Sequence, residues 1–113
     1  MAVSEQLKKH IIEQLSQLGP IRHRNMFGGV GLYFEELFFG LIVEDGLFLK
    51  VDETNRHDFE AVGMAQFIPF KDRPTKMNFY QIPEEVLEDV KELRVWVNKS
   101  LEVAVRARGS KIS

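Results

Sequence analysis

Residues 24–51 read RNMFGGVGLYFEELFFGLIVEDGLFLKV, and the fold turns on how this stretch is paired. It is dense in aromatic and branched apolar residues, broken by Gly28, Gly29, Gly31, Gly40 and Gly46. Asp45-Gly46 stands between the apolar runs LFFGLIV and LFLKV. Asp-Gly tolerates positive φ at both central positions of a type I′ turn, whose twist matches the flanking strands. The predicted element is a β-meander, with Val43 opposite Phe48 and Ile42 opposite Leu49. Glu35-Glu36, between VGLYF and LFFGLIV, predicts a second turn. Neighbouring residues of a strand point to opposite sides of a sheet. The runs Leu41-Ile42-Val43 and Leu47-Phe48-Leu49 therefore place apolar groups on both faces, and both faces call for cover.

The remainder of the chain supplies that cover. Ser4 caps a helix whose residues Leu7, Ile11, Leu15 and Leu18 form one apolar stripe, and Gly19-Pro20 ends it. Residues 21–27 predict a first strand. Residues 52–63 predict a short helix capped by Asp52 or Thr54, with Phe59 and Val62 inward and Gly63 as the stop. Residues 66–71 and 76–82 predict a second hairpin around the loop at 72–75, where Pro74 breaks the strands. Pro83 opens the last helical region as a first-turn proline, with Glu84 and Glu85 at the positive end of the helix dipole. Val86, Val90, Leu93, Val97, Leu101 and Ala104 make its stripe, Lys91, Asn98, Glu102 and Arg106 its outer face, and a break is expected near Glu88-Asp89. Residues 107–113 read as a disordered, mildly basic tail. The prediction is one α+β domain over 1–113, with a mostly antiparallel sheet in the order α-β(3-4)-α-β(2)-α.

Composition narrows the functional classes. The chain has 113 residues, 44% hydrophobic, which suffices for one packed core. Its net charge of -2 gives no global attraction to nucleic acid or anionic lipid. It has no cysteine, so disulfides, thiol nucleophiles and thiolate metal sites are excluded. The opening MAVSEQLKKH lacks an apolar run behind a basic segment, and no stretch is long and apolar enough to span a bilayer. A cytoplasmic protein is expected. The Asn98-Lys99-Ser100 glycosylation pattern falls within a predicted helix and is set aside.

The residue patterns that could carry chemistry are incomplete. Gly29-Val30-Gly31 begins like a dinucleotide fingerprint, but position 34 is Phe and a strand follows where a helix should receive the phosphates. A tight backbone bend explains these glycines better. His10, His23 and His57 lie on three elements, and none has a partner at helical zinc-motif spacing. The pairs Glu35-Glu36, Glu84-Glu85 and Glu88-Asp89 fit turns and helix starts. No Gly-x-Ser-x-Gly elbow occurs. Catalytic, cofactor-binding and metal-binding residues are therefore assigned to none. The basic groups, Arg22-His23-Arg24, Lys8-Lys9 and Arg106, Arg108, Lys111, are interspersed with acids and read as solvated faces.

The run Arg24-Asn25-Met26-Phe27-Gly28-Gly29-Val30-Gly31-Leu32-Tyr33 resembles the RxMFGGxGxY signature of the N-terminal domain of TfoX/Sxy competence regulators. The similarity extends through Phe39-Gly40, residues 45–50, Phe59, Gly63, residues 77–80, Pro83 and residues 93–96. Phe79 stands where this family often has tyrosine or a small residue. The resemblance implies an architecture like that of type III secretion chaperones, often dimeric. It also implies a part in switching on DNA-uptake genes together with the cAMP receptor protein. Full regulators carry a second, helical domain after this one. No catalytic residues come with the resemblance. The signature residues Arg24, Met26, Phe27, Gly28, Gly29, Gly31 and Tyr33 are expected to serve structure.

The expectation is a non-enzymatic, cofactor-free module that binds a protein, such as a transcription factor, without specific DNA affinity of its own. A homodimer through the second sheet face is also expected. Two rivals stand beside it: a small-ligand-binding protein or enzyme using the glycine-rich bend, and a weak nucleic-acid binder using the basic tail.

Overall fold

The structure is a computed structural model and describes residues 4–26, 28–43, 46–67 and 78–112. Along the chain come α1 (Glu5–Ser16), β1 (Arg22–Met26), β2 (Gly29–Phe34), β3 (Leu37–Val43) and β4 (Gly46–Lys50). They are followed by α2 (Arg56–Glu60), β5 (Phe79–Gln81), α3 (Glu84–Glu88) and α4 (Val90–Ile112). The described strands form one sheet in the order β1-β2-β3-β4-β5, antiparallel throughout. The fold is α+β, as the sequence predicts.

The expected meander is present, with a different register at its last turn. Val43 pairs with Gly46, Ile42 with Leu47 and Leu41 with Phe48. Gly46, at φ +132°, is thus the first residue of β4 and not a central turn residue. Asp45 lies outside the described residues. Each partner moves by two positions relative to the predicted pairing, and side chains repeat every two, so every residue keeps its expected face. The turn at Glu35-Glu36 is as predicted, with Phe34 paired to Leu37 and Glu35 at φ +56°.

A bulge between β2 and β3 sorts the aromatic residues. Leu32 pairs with Gly40 and Tyr33 with Phe38, which leaves Phe39 as the extra residue. Without it, strict alternation would send Phe39 to the face away from the helices. The bulge turns Phe39 into the main core and leaves Phe38 on the far face.

The main core lies between the sheet and the helices. Val30, Leu32, Phe39, Ile42, Leu47 and Leu49 meet Ile11 and Leu15 of α1, Phe59 of α2, Val86 and Leu87 of α3, and Leu93 and Val97 of α4. α4 lies across β3 and β4. On the far face Leu41, Phe48 and Phe79 are buried, with Phe38, Val43 and Phe67 packed against them. The Phe67 ring sits 5.4 Å from Phe48. The centre of the far face is buried within the chain.

Local chemistry fixes the joints. The Ser4 hydroxyl accepts from the Leu7 amide at 3.1 Å, as expected of a cap. Neither Asp52 nor Thr54 occupies the cap of α2; that position is Asn55. Asp52 instead accepts from the Thr54 amide and hydroxyl at 2.8 and 2.6 Å. Buried Asn55 accepts from the Asp52 amide and donates to the Lys50 carbonyl, at 2.9 and 3.1 Å. Val62 is 54% exposed, not inward, because α2 ends at Glu60 and helical periodicity no longer applies beyond it. Of the second hairpin, β5 and residues 65–67 are described and pair: Phe67 donates to the Phe79 carbonyl and Gln81 to that of Ala65. Its predicted loop lies outside the described residues.

Pro83 is the cap of α3 and not its first helical residue. The break falls at Asp89, whose extended backbone separates α3 from α4. Its carboxylate then accepts from the Lys91 and Glu92 amides and caps α4. α4 continues to Ile112, beyond the point where a disordered tail was expected.

Candidate functional site

Of the concave features with polar linings among the described residues, two adjoin the sheet. The first is at the edge of the sheet. β1 pairs only with β2 among the described residues, and Arg22, His23, Arg24 and Asn25 are all exposed. Arg22 lies opposite Tyr33 and Arg24 opposite Gly31, so both arginines share the far face with Tyr33. Tyr33 stacks on Phe38 with ring centroids 5.1 Å apart. The Lys50 ammonium lies 5.7 Å from the centre of the Phe38 ring.

A shallow cavity of about 320 Å³ is lined here by Arg22, Arg24, Tyr33, Glu35, Glu36 and Arg108. Arg108 of α4 reaches Glu36 at 3.3 Å. The guanidinium groups of Arg22 and Arg24 form no ion pair or hydrogen bond among the described residues. The arrangement can hold a carboxylate or another anion between two charges on one side of a strand.

The second feature is a cleft of about 470 Å³ between α1, the start of β4, β5 and α3. Leu7, Leu47, Met64, Ile82 and Leu87 give it an apolar lining, and His10 and Glu88 stand at its rim 2.6 Å apart. Both side chains are about half exposed. Among the described residues, no Ser, Thr, Lys or Tyr lines this cleft.

The signature residues divide by role. Gly28 adopts φ +73°, the left-handed conformation that reverses the chain between β1 and β2. Gly29 is a point of close approach: a Cβ there would lie 2.3 Å from the Ile42 carbonyl oxygen. Gly31 and Tyr33 line β2, and Tyr33 and Arg24 reach the edge cavity. Phe27 and the side chain of Met26 lie outside the described residues. Neither cavity is lined by Gly28, Gly29 or Gly31. The ligand reading of the glycine-rich bend therefore gains nothing from the geometry.

The three histidines stay apart. His10 faces Glu88, His23 is on β1, and His57 is on α2 beside Asp58. The described residues contain no group of three His, Asp or Glu side chains able to hold a metal. Among the described residues three titrations are displaced: the hydrogen bond to Glu53 raises Arg56, and Asp52 and Tyr80 shift at structural joints. Burial acts to raise the Asp52 carboxyl pKa, but hydrogen bonds from Thr54 and Arg106 outweigh it and hold it below its ordinary value. Burial, then the Glu60 carboxylate that accepts from its hydroxyl at 3.0 Å, raises the Tyr80 phenol.

Residues 13–104 match the family model described as the TfoX N-terminal domain. The chain belongs to the TfoX N-terminal domain family. The match runs from α1 into α4 and takes in the whole described sheet. Among relatives, the DNA transformation protein TfoX1 of Aliivibrio fischeri (strain ATCC 700601 / ES114) is 28% identical over 79 residues. Those residues are 69% of this chain and 38% of that protein, so the TfoX-like chain spans little more than a third of the relative's length. The family is a competence-related one. Arg108, which ties the end of α4 to the Glu36 turn, lies beyond the matched TfoX segment.

In the sequence Arg22 and Arg24 read as solvated charge, and Arg24 also as a structural signature residue. The signal this reading lacks is topological: their i, i+2 spacing gains meaning once β1 is known to be an edge strand.

Proposed function

We propose that this domain is a non-catalytic protein-binding module that regulates competence genes through a transcription-factor partner, such as the cAMP receptor protein. The observation that carries the reading is the β1 edge, where two exposed arginines lack partners among the described residues. Family membership supplies the link to DNA transformation. Direct and specific DNA recognition is not part of the proposal. Specific binding needs base-edge contacts backed by phosphate contacts. Here the apolar stripe of α4 is packed in the core, and Lys91, Arg94, Lys99 and Arg106 alternate with Glu92 and Glu102 outside. The module works in the cytoplasm in this reading. Among the described residues, no helix is long and apolar enough to cross a membrane.

Fluorescence anisotropy tests the reading with a competence-gene promoter fragment and a scrambled one, at near-physiological salt. The domain alone is expected to bind both equally, weakly and with steep salt dependence. With the transcription factor seated on the promoter, it is expected to bind the promoter complex. A promoter preference by the domain alone would overturn the reading. The cleft below His10 favours a second reading, capture of a small ligand with an apolar body. Thermal-shift screening against metabolite pools tests it, and stabilisation lost in a variant of the half-exposed rim residue, His10→Ala, is the supporting result.

A further inference from the structure

We propose that the outer edge of β1 seats an extended segment of a protein partner, added to the sheet as a further strand. The segment carries acidic residues at alternate positions. The inference rests on the protein-binding reading above and names its surface and the chemistry of its ligand.

The two edges of the sheet differ. Beyond β5, residues 65–67 pair with its outer side. Beyond β1, no described residue pairs, and its side chains from Arg22 to Asn25 are exposed. An edge strand presents a row of N–H and C=O groups to any chain able to pair. Proteins commonly blunt such edges with proline, a bulge or inward charge. β1 contains no proline, and its register with β2 runs from Arg22 to Met26 without a shift. Charge remains the only such device on this strand.

Arginines that merely prevented edge-to-edge pairing could be satisfied by nearby acids. Glu35 and Glu36 line the same cavity, yet Glu36 is taken by Arg108, while Arg22 and Arg24 pair with neither. Both guanidinium groups stand on one face, two residues apart, a separation of about 7 Å along the strand. A strand laid beside β1 brings its own alternate residues opposite them. Acids at two such positions match both charges, and His23 and Asn25 meet the intervening residues on the other face. Opposite charges across neighbouring strands stabilise the pairing, whereas like charges oppose it.

The same rule weighs against two other occupants. A second copy paired edge to edge through β1 about His23 or Arg24 would set arginine against arginine, which disfavours a homodimer in those registers. A nucleic-acid strand would meet Glu35 and Glu36 in the same cavity, and one face of Tyr33 is already stacked on Phe38.

The test is an amide-resolved NMR titration of the whole chain. The probe is a decapeptide with Glu at alternate positions and Thr or Val between. The expected result is shifts concentrated in residues 22–26 and slowed amide exchange there. Methylating alternate peptide nitrogens on the pairing side should abolish both. Arg22→Ala with Arg24→Ala should weaken binding about tenfold with an unchanged circular dichroism spectrum.

Equal binding of the methylated peptide, shifts elsewhere, or no shift at millimolar peptide would each overturn the proposal. So would tighter binding of an oligo-dT strand at the same residues. A competence-gene reporter in cells separates this failure from failure of the function. A reporter that needs the domain but ignores the double substitution refutes the seat alone. A reporter indifferent to the domain, with the peptide bound as expected, refutes the competence role alone.

Discussion

Gly28 and Gly29 are adjacent, yet substituting them should fail for opposite reasons. At Gly28 a side chain has room, since a Cβ there would meet nothing within 4 Å, but the backbone is at φ +73°. An L-residue in that conformation costs about 1–2 kcal/mol, and Asn tolerates it better than Ala. At Gly29 the backbone is ordinary and the room is missing. Its Cβ would lie 2.3 Å from the Ile42 carbonyl oxygen and 2.9 Å from a Val43 methyl. The carbonyl belongs to the neighbouring strand, so relief requires β2 to move from β3, at an overpacking cost of about 1–3 kcal/mol.

The two sites therefore rank substitutions differently. Gly28→Asn should be milder than Gly28→Ala, while Gly29→Asn should be at least as damaging as Gly29→Ala. For a domain of this length each kcal/mol lowers the melting temperature by about 4 °C. Gly28→Ala should lose about 4–8 °C and Gly29→Ala about 4–12 °C. Urea titrations and thermal melts by circular dichroism give both numbers. An unchanged melt for Gly29→Ala, or Asn worse than Ala at position 28, would refute the reasoning. Lost activity at an unchanged melting temperature would return a ligand role to the bend.

Three further outcomes are expected. Asn55→Ala should cost about 1–3 kcal/mol in urea unfolding, because it strips partners from the Asp52 amide and the Lys50 carbonyl, whereas exposed Thr54→Ala should cost less. Ser100 is fully buried in α4 and its hydroxyl has no partner among the described residues, so Ser100→Ala should be neutral or raise the melting temperature. Asp52 is held below its ordinary 3.8, so its contribution to stability is complete above that value and lost as pH falls through the folded pKa. The stability difference between wild type and Asp52→Asn should accordingly shrink below about pH 4 in acid-unfolding curves.

Some of this architecture could be read directly from residues. The Glu35-Glu36 turn, the Ser4 cap and the interruption at Asp89 each follow from local chemistry, and local chemistry is what a sequence displays. The bulge at Phe39 is different. Leu37-Phe38-Phe39 is apolar without alternation, so hydrophobicity cannot say which aromatic faces the helices; pairing with Leu32 and Tyr33 decides it. The β3–β4 register depends on whether Gly46 belongs to the turn or the strand, and Asp-Gly supports either. Ser100 and Val103 are buried beside the predicted stripe of α4 because that helix lies across two strands, which widens the face it covers. The contact from Arg108 to Glu36 joins positions 72 residues apart, beyond the reach of any local pattern.

The candidate site was legible only in its parts. The RHR triplet is visible as charge and the MFGG run as a signature, and nothing in either shows that they belong to one hairpin. In the folded chain the division is physical. Gly28 and Gly29 are spent on backbone geometry, one through its conformation and the other through the space it leaves. Tyr33 is committed to its stack with Phe38. Arg24 is exposed and unpaired among the described residues, in a hairpin whose shape those glycines maintain. A surface arginine with no partner contributes little to folding. Among the described signature residues, Arg24 is thus one at which stability and the proposed partner binding can be separated, and loss of partner binding there with an unaltered melt would locate that binding in the signature's first residue.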